Sequence, residues 1–274
     1  MLSFLTRRPG SDLALQHPPP EQPWTEEYAA AHVAFLEHVF ADPSLIRAVQ
    51  RGRLPDGWGI GLDERVVEYP WLLAQSPRGR VLDAGSTLNH AHVLDRVLPL
   101  VDELHVVTLA PEERSFPERG ISYVYADLRG LPYRDGSFET VVSLSTLEHV
   151  GKDNSRYGGS ASEDEPDAAL GRALAELRRV LAPGGTMLVS VPYGRREDHG
   201  WFRQLNEEDV ARLVSLAAPA RFDLAVFAYD VSGWHGSSPR DAGDASYRDF
   251  TADQSPVPDL AAAARAVACL RMQF

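Results

Sequence analysis

The stretch Val81-Leu82-Asp83-Ala84-Gly85-Ser86-Thr87-Leu88-Asn89-His90 decides how the chain folds. A short apolar run ends in an acid, a glycine and a cluster of polar residues. An amphipathic segment then runs to Leu98. Strand, tight turn and helix start make the nucleotide pocket of an open α/β sheet, at the carboxyl end of its first strand. Small residues in the turn let the backbone approach a ligand, and the helix start offers N–H groups without an intrahelical partner.

Downstream, short apolar runs alternate with helical patterns. Residues 104–109 read as a second strand and 121–125 as a third, followed by Asp127. Residues 138–144 read as a fourth, entered through the turn Arg134-Asp135-Gly136. The polar segment 151–166 reads as a loop. Leu170, Leu174, Leu177 and Leu181 then recur at helical spacing, until Pro183-Gly184-Gly185 is expected to stop that helix. Residues 186–191 form a fifth expected strand, Asn206 caps a helix to about Ala217, and 222–229 form a sixth. The last segment, 259–274, reads as a short helix followed by a final strand from about Val267. This alternation predicts a doubly wound, mostly parallel, seven-stranded α/β sheet with helices on both faces.

Upstream, residues 1–23 carry Pro9, Pro18, Pro19, Pro20 and Pro23 with few large apolar residues, and are expected to form a flexible arm. Thr25 can cap a helix whose first turn holds Glu26 and Glu27 and whose stripe is Tyr28, Ala31, Phe35 and Val39. Pro43 starts a second helix, and 63–75 reads as a third that Pro70 should kink or split. Residues 24–75 are therefore read as a helical appendage packed on the sheet, and 76–274 as the main domain.

With 274 residues, 44% of them hydrophobic, the chain can bury a real core. A net charge of −12 argues against nucleic acid or an anionic membrane as a partner. No apolar run approaches the length needed to span a bilayer, and the first five residues are too short for a signal-peptide core. Cys269 is the only cysteine, which excludes an internal disulfide framework and fits a cytoplasmic protein. Lys152 is the only lysine. It lies in no glycine-rich phosphate loop, and Glu148 stands where a Tyr-x-x-x-Lys pair would need tyrosine.

At this point the chain resembles the class I S-adenosylmethionine-dependent methyltransferases. Val81 to Gly85 looks like their first motif, and Tyr125-Ala126-Asp127-Leu128 like the adenine-side acid after the third strand. The run from Leu131 to Val142 resembles their approach to the fourth strand, and Leu181-Ala182-Pro183-Gly184-Gly185-Thr186 their turn into the fifth. The resemblance covers residues 80–191. Asn89-His90, Thr108 to Glu112 and Thr146 to Gly151 resemble a bacterial subgroup associated with sugar and polysaccharide biosynthesis. It implies S-adenosyl-L-methionine as cofactor and methyl transfer to a small-molecule acceptor such as a sugar hydroxyl. The implied cofactor residues are Asp83, Gly85, Ser86, Thr87, Asn89, Thr108, Glu112, Asp127, Leu128, Ser145 and Leu147.

This chain departs from that pattern at two places. Thr87 and Asn89 stand where the family has further glycines, and Thr108-Leu109-Ala110 replaces the ribose-gripping acid after the second strand, with Glu112 and Glu113 following. His149, after the fourth strand, is the candidate catalytic residue. It could take an acceptor's proton with Glu148 or Asp153 orienting the ring, or it could pack against the adenine or cap its helix. Residues 151–159 suit a substrate lid, and the cluster around Arg195, Arg196, His199, Trp201 and Phe202, with Trp234 and His235, could line the acceptor pocket. No metal is expected, since His149, Asp153, Asp198 and His199 have no diagnostic ligand spacing. Two other functions fit the same architecture: a non-catalytic binding or scaffold protein, and a nicotinamide-dependent oxidoreductase lacking the full glycine fingerprint.

Overall fold

The computed structural model describes residues 13–159, 165–255 and 257–274. Its strands are β1 (Arg80–Ala84), β2 (Glu103–Thr108), β3 (Ser122–Tyr125), β4 (Phe138–Leu144), β5 (Leu181–Pro192), β6 (Glu197–Asp198), β7 (Arg203–Gln204), β8 (Arg221–Asp230), β9 (Gly233–Ser237) and β10 (Ala266–Gln273). Eight of them form one sheet in the order β3-β2-β1-β4-β5-β10-β8-β9, and β6 and β7 pair as a small ribbon. β3, β2, β1, β4 and β5 run parallel, while β10 is antiparallel to both its neighbours. The chain leaves β1 toward β2 on one side and returns through β4 on the other. A crevice opens at the carboxyl ends of the strands where that order reverses.

The helices are α1 (Leu13–Gln16), α2 (Glu26–Ala41), α3 (Pro43–Gln50), α4 (Arg65–Ala74), α5 (Ala91–Val97), α6 (Pro166–Val180) and α7 (Glu207–Ala217). Local chemistry sets several of their starts. The Thr25 side chain accepts from the Tyr28 N–H, Asp42 accepts from Ser44, and Asn206 and Asp209 form a reciprocal capping box. On one face of the sheet, Phe35, Leu36, Val66 and Leu72 pack with Val81, Leu94, Val142 and Leu188. On the other face Leu170, Leu174 and Leu177 of α6 pack with Leu82, Val141 and Val189. Each such leucine contributes about 1.5–3 kcal/mol by leaving water. Residues 24–75 thus share a continuous core with the sheet.

Pro70 sits inside α4, which nonetheless runs unbroken from Arg65 to Ala74. Proline has no N–H for the carbonyl four residues back, at Val66. The buried Trp58 indole N–H donates to that carbonyl at 3.0 Å, so a side chain from the preceding loop replaces the missing backbone bond.

Other details differ from the sequence expectation. α6 ends at Val180, and Pro183-Gly184-Gly185 lies within β5, where the register with β4 shifts between Phe138 and Thr140. The described part of 257–265 holds turns instead of a short helix. The sheet has eight strands, because Val231 and Ser232 turn β8 back into the edge strand β9. The expected arm falls partly outside the described residues (1–12). Within it, Leu13 is buried in the core. Residues 160–164 of the expected loop 151–166 also lie outside them.

Candidate active site

A cavity of about 230 Å³ lies at the carboxyl ends of β1, β2, β3 and β4. Of the site residues named from the sequence, Gly85, Thr87, Thr108, Glu112, Asp127, Leu128, Ser145 and His149 line it. Asp83, Ser86, Asn89 and Leu147 are not on its wall.

The turn after β1 is held together from below. Asp83 is fully buried and accepts from the Leu88 N–H at 2.8 Å and the Thr87 hydroxyl at 3.3 Å. Burial pushes its carboxyl up to about 7 despite those bonds. Gly85 has φ +125°, and a Cβ there would lie 2.1 Å from Thr146 Oγ1, so only glycine fits beside the segment that follows β4. Ser86 also has positive φ, and its buried hydroxyl oxygen has no hydrogen-bond partner.

The two departures from the family pattern meet in space. Asn89, in a usual glycine position, donates from Nδ2 to Glu112 Oε2 and to the Arg114 carbonyl, each at 2.8 Å. The Tyr123 hydroxyl fixes the amide by donating to its Oδ1 at 2.8 Å. Asn89 therefore holds Glu112 on the cavity wall, which Thr108 also lines. Glu113 is not on the cavity wall. Asp127 carries an internal partner: Arg129 Nε and Nη2 reach its two oxygens at 2.9 and 2.6 Å. Burial raises the Asp127 pKa, but the Arg129 bonds outweigh it and hold the carboxyl below its ordinary value.

His149 is anchored by its Nδ1, 3.0 Å from the Trp201 carbonyl. A carbonyl only accepts, so Nδ1 carries the proton and Nε2 presents a lone pair. Burial lowers the ring's pKa to about 4, against the smaller opposing effect of the Trp201 carbonyl, so the ring is neutral at pH 7. Glu148 Oε1 lies 3.8 Å from Nε2, beyond hydrogen-bond range, and Asp153 is occupied with the Ser155 N–H.

Sequence reasoning missed a second layer. Arg65, from α4, lines the cavity and pairs with Glu68. Glu68 is fully buried, and its Oε1 accepts from the Ser145 hydroxyl at 2.5 Å and the Ser190 hydroxyl at 2.6 Å. Ser145, at the end of β4, has φ +39°. The only local trace of this arrangement was the charged Glu64-Arg65…Glu68 spacing inside an otherwise apolar helix, which places residues 65 and 68 on one face. Thr146 and Arg129 were likewise unanticipated.

The polar residues past β5 are largely committed to one another. Asp198 holds Lys152 at 2.7 Å, Arg196 faces Asp209 at 3.3 Å, and His199 faces Glu197 at 3.2 Å. Trp201 and Phe202 instead turn toward His149, with ring centroids 5.2 and 5.8 Å from it. Trp234 is buried elsewhere and donates to the Leu62 carbonyl at 3.0 Å. Among the described residues no group of three His, Cys, Asp or Glu side chains gathers as a metal site.

The buried groups set a pH dependence for the free protein. Glu64 is pushed up to about 8, first by burial and then by Asp63 and Glu68, and Asp83 to about 7. Their folded pKa values are raised, so their stabilisation is present below the ordinary carboxylate range and lost as pH rises through about 7 and 8. His149 and His90, both lowered to about 4 chiefly by burial, act oppositely: their stabilisation is present above 6.5 and lost as pH falls toward 4. The opposing groups offset one another below pH 6.5, and above it only the acids titrate. The melting temperature should therefore fall between pH 6.5 and 8.5. The double variant Asp83→Asn/Glu64→Gln should flatten that slope in thermal melts. An unchanged slope would contradict the assignment.

Residues 86–189 match the family model described as a methyltransferase domain. The matched stretch runs from the turn after β1 into β5 and includes most of the residues that line the cavity. Similar solved structures include the N-methyltransferase NodS of Bradyrhizobium japonicum with S-adenosyl-L-homocysteine, at 14% identity, covering 88% of this chain and 97% of that one, TM-score 0.47. The 1,6-didemethyltoxoflavin N1-methyltransferase of Burkholderia thailandensis is 15% identical, with 93% and 94% covered and a TM-score of 0.44. A Thermotoga maritima S-adenosylmethionine-dependent methyltransferase is 16% identical, with 88% and 98% covered and a TM-score of 0.45. No described helix is long and apolar enough to cross a membrane.

Proposed function

We propose that this chain moves the methyl group of S-adenosylmethionine to a small-molecule acceptor at the cavity between β1 and β4. The observation that carries the reading is the wall of that cavity, where the chemistries the cofactor needs follow one another in space. Val107, Leu109 and Leu128 offer apolar contact for a planar base, and Asp127 lies beside them. Glu112, aimed by Asn89, suits a pair of ribose hydroxyls. The Arg65 guanidinium on the same wall suits a carboxylate. When bound, the cofactor supplies an electrophilic methyl on a sulfonium.

The chain's own part is to align the acceptor and receive its proton. His149 directs its Nε2 lone pair from the wall and stays neutral across the physiological range. It can hold an acceptor N–H or O–H by hydrogen bond. A base with so low a pKa suffices, because an acceptor atom becomes strongly acidic as it gains the methyl. Tyr157, Asn154 and Gly151 close the cavity from the loop above, in the place of a lid. The lone, buried thiol of Cys269 is in keeping with a cytoplasmic protein. The sugar hydroxyl suggested by the subgroup resemblance has no dedicated group in the cavity beyond this acceptor geometry.

Calorimetric titration with S-adenosylmethionine and S-adenosylhomocysteine, with NAD as control, tests the reading. Both sulfur compounds should bind and NAD should not. Folded protein that binds neither would overturn it and favour the scaffold alternative, while binding of NAD alone would favour the oxidoreductase.

A further inference from the structure

The loop after β4, residues 151–159, spans the mouth of the cavity. Gly151, Asn154 and Tyr157 from this loop line the wall. In the sheet β2 and β4 flank β1, so a segment that leaves β4 and reaches the residues after β2 passes over the end of β1. The loop does reach them. A Cβ on Gly158, at φ +75°, would lie 2.6 Å from the Ala110 Cβ, and one on Gly159 would lie 3.1 Å from Leu109 Cδ1. Leu109 is itself on the cavity wall. Within the loop the Asn154 side chain donates to the His149 and Lys152 carbonyls, both at 3.1 Å. The Tyr157 and Gly159 N–H groups donate to the Asn154 carbonyl at 2.9 and 3.0 Å. Those bonds brace the loop, so it can move as one piece.

Its near end is tied to the ribbon of β6 and β7. Lys152 Nζ donates to both Asp198 oxygens at 2.7 Å, and the Asp153 N–H donates to the Gly200 carbonyl at 3.3 Å. The Arg156 guanidinium lies 4.5 Å from the centre of the Trp201 ring. The Gly200 N–H donates to Asp198 Oδ1 at 2.9 Å, so one carboxylate shapes the turn of the ribbon and holds the lysine. Arg196 and Arg203 line the same surface groove as this pair and are held instead by Asp209 and Asp167. The Lys152 side chain is 10% exposed and that of Asp198 67%. An ion pair with one partner so open to water is a weak tie, worth about two- to fivefold in an equilibrium. Ties of that size suit a part that opens and recloses.

We propose that the Lys152–Asp198 pair is a latch that holds residues 151–159 closed over the cavity and sets how fast a ligand enters and leaves. The inference deepens the proposed function and rests on it. Neither Lys152 nor Asp198 lines the cavity, so the pair acts through the loop, and Lys152 is a positioning residue for Asn154 and Tyr157. Out of reach of the ligand, the latch favours the closed state equally with the cavity empty or filled. Weakening it raises the open population in both states, which speeds entry and exit by the same factor and leaves the affinity unchanged. A direct contact with the ligand would instead change the dissociation rate and the affinity together.

Hydrogen exchange read by mass spectrometry, with stopped-flow binding of S-adenosylhomocysteine, tests the latch. In Lys152→Met and in Asp198→Asn, the amides of residues 151–159 should exchange about two- to fivefold faster, while those of α6 and β5 keep their wild-type rates. The double variant should exchange no faster than either single one, because only one tie is lost. Association and dissociation of S-adenosylhomocysteine should both accelerate by that factor with Kd unchanged, and Lys152→Arg should keep the slow rates. Raising salt from about 50 mM to about 1 M should speed loop exchange in wild type and not in Lys152→Met. Gly158→Ala, which props the far end against Ala110, should open the loop in the same way without touching the pair. Unchanged loop exchange in Lys152→Met and Asp198→Asn, additive effects in the double variant, or a changed Kd in place of two changed rates would overturn the proposal. Should those variants fail to fold, wild-type loop exchange that ignores salt, or that Gly158→Ala leaves unaltered, overturns it as well. Failure of the proposed function shows separately, as absent S-adenosylhomocysteine binding to folded wild type, and the exchange result then still decides the latch.

Discussion

Glu68→Ala is expected to lower stability by about 3–5 kcal/mol, the usual consequence of removing one partner of a buried ion pair. The substitution leaves Arg65 without its counter-charge and strips the acceptor from the Ser145 and Ser190 hydroxyls at once. Ser190 sits on β5 beside the end of β4, and Ser145 follows β4 directly, held at φ +39°. Losing their shared acceptor should loosen the point where α4 meets β4 and β5. For a chain of this size the drop corresponds to a melting temperature lower by roughly 6–20 °C. Urea denaturation of Glu68→Ala and Glu68→Gln would measure it. The glutamine variant keeps an oxygen for the serines and loses only the charge, so it should fall between alanine and wild type. S-adenosylhomocysteine affinity should fall as well, because Arg65 lines the cavity and is oriented by Glu68. A Glu68→Ala protein within about 1 kcal/mol of wild type would show that Glu68 is not the tie described.

Gly85→Ala should be comparably damaging, for a steric reason. At φ +125° an L side chain is strained, at about 1–3 kcal/mol, and the new methyl would fall 2.1 Å from Thr146 Oγ1 and 2.4 Å from its Cγ2. Pushing Thr146 aside breaks the bond its hydroxyl donates to the Leu144 carbonyl and adds about 1–3 kcal/mol of overpacking. The turn should also shift away from the cavity, lowering S-adenosylhomocysteine affinity by about tenfold or more. Combining it with Thr146→Ala removes the two nearest atoms but leaves the Thr146 Cβ at 2.7 Å and the backbone strain, so rescue should be partial. Melts and calorimetry on the single and double variants give both readouts. Wild-type values for Gly85→Ala in both would mean that the turn yields freely and the close approach does not matter.

The parts of this protein legible in its sequence are those written in neighbouring residues. Thr25 and Asn206 announce helix starts, because a short polar side chain reaches a backbone N–H group three residues on. The apolar runs of β1 and β4 and the leucine spacing of α6 announce their elements by period. Local reading fails where a distant group intervenes. Pro70 predicts a break that the Trp58 indole prevents, and Pro183-Gly184-Gly185 reads as a helix stop although it bulges within a strand. Asn89 and the missing strand-two acid look like two separate defects in the chain. In space the two places meet, because the Asn89 amide holds Glu112 on the cavity wall that Thr108 also lines.

The sequence by itself determined the alternating α/β architecture and a pocket at the carboxyl end of the first strand, since strand patterns and turn residues are short-range properties. Only the tertiary structure decided that Arg65, Glu68, Ser145 and Ser190 share one buried network. Glu68 and Ser190 lie 122 positions apart. No local period records a contact between them. It exists because packing α4 across the ends of β4 and β5 removes water from all of these groups together and leaves them only one another as partners.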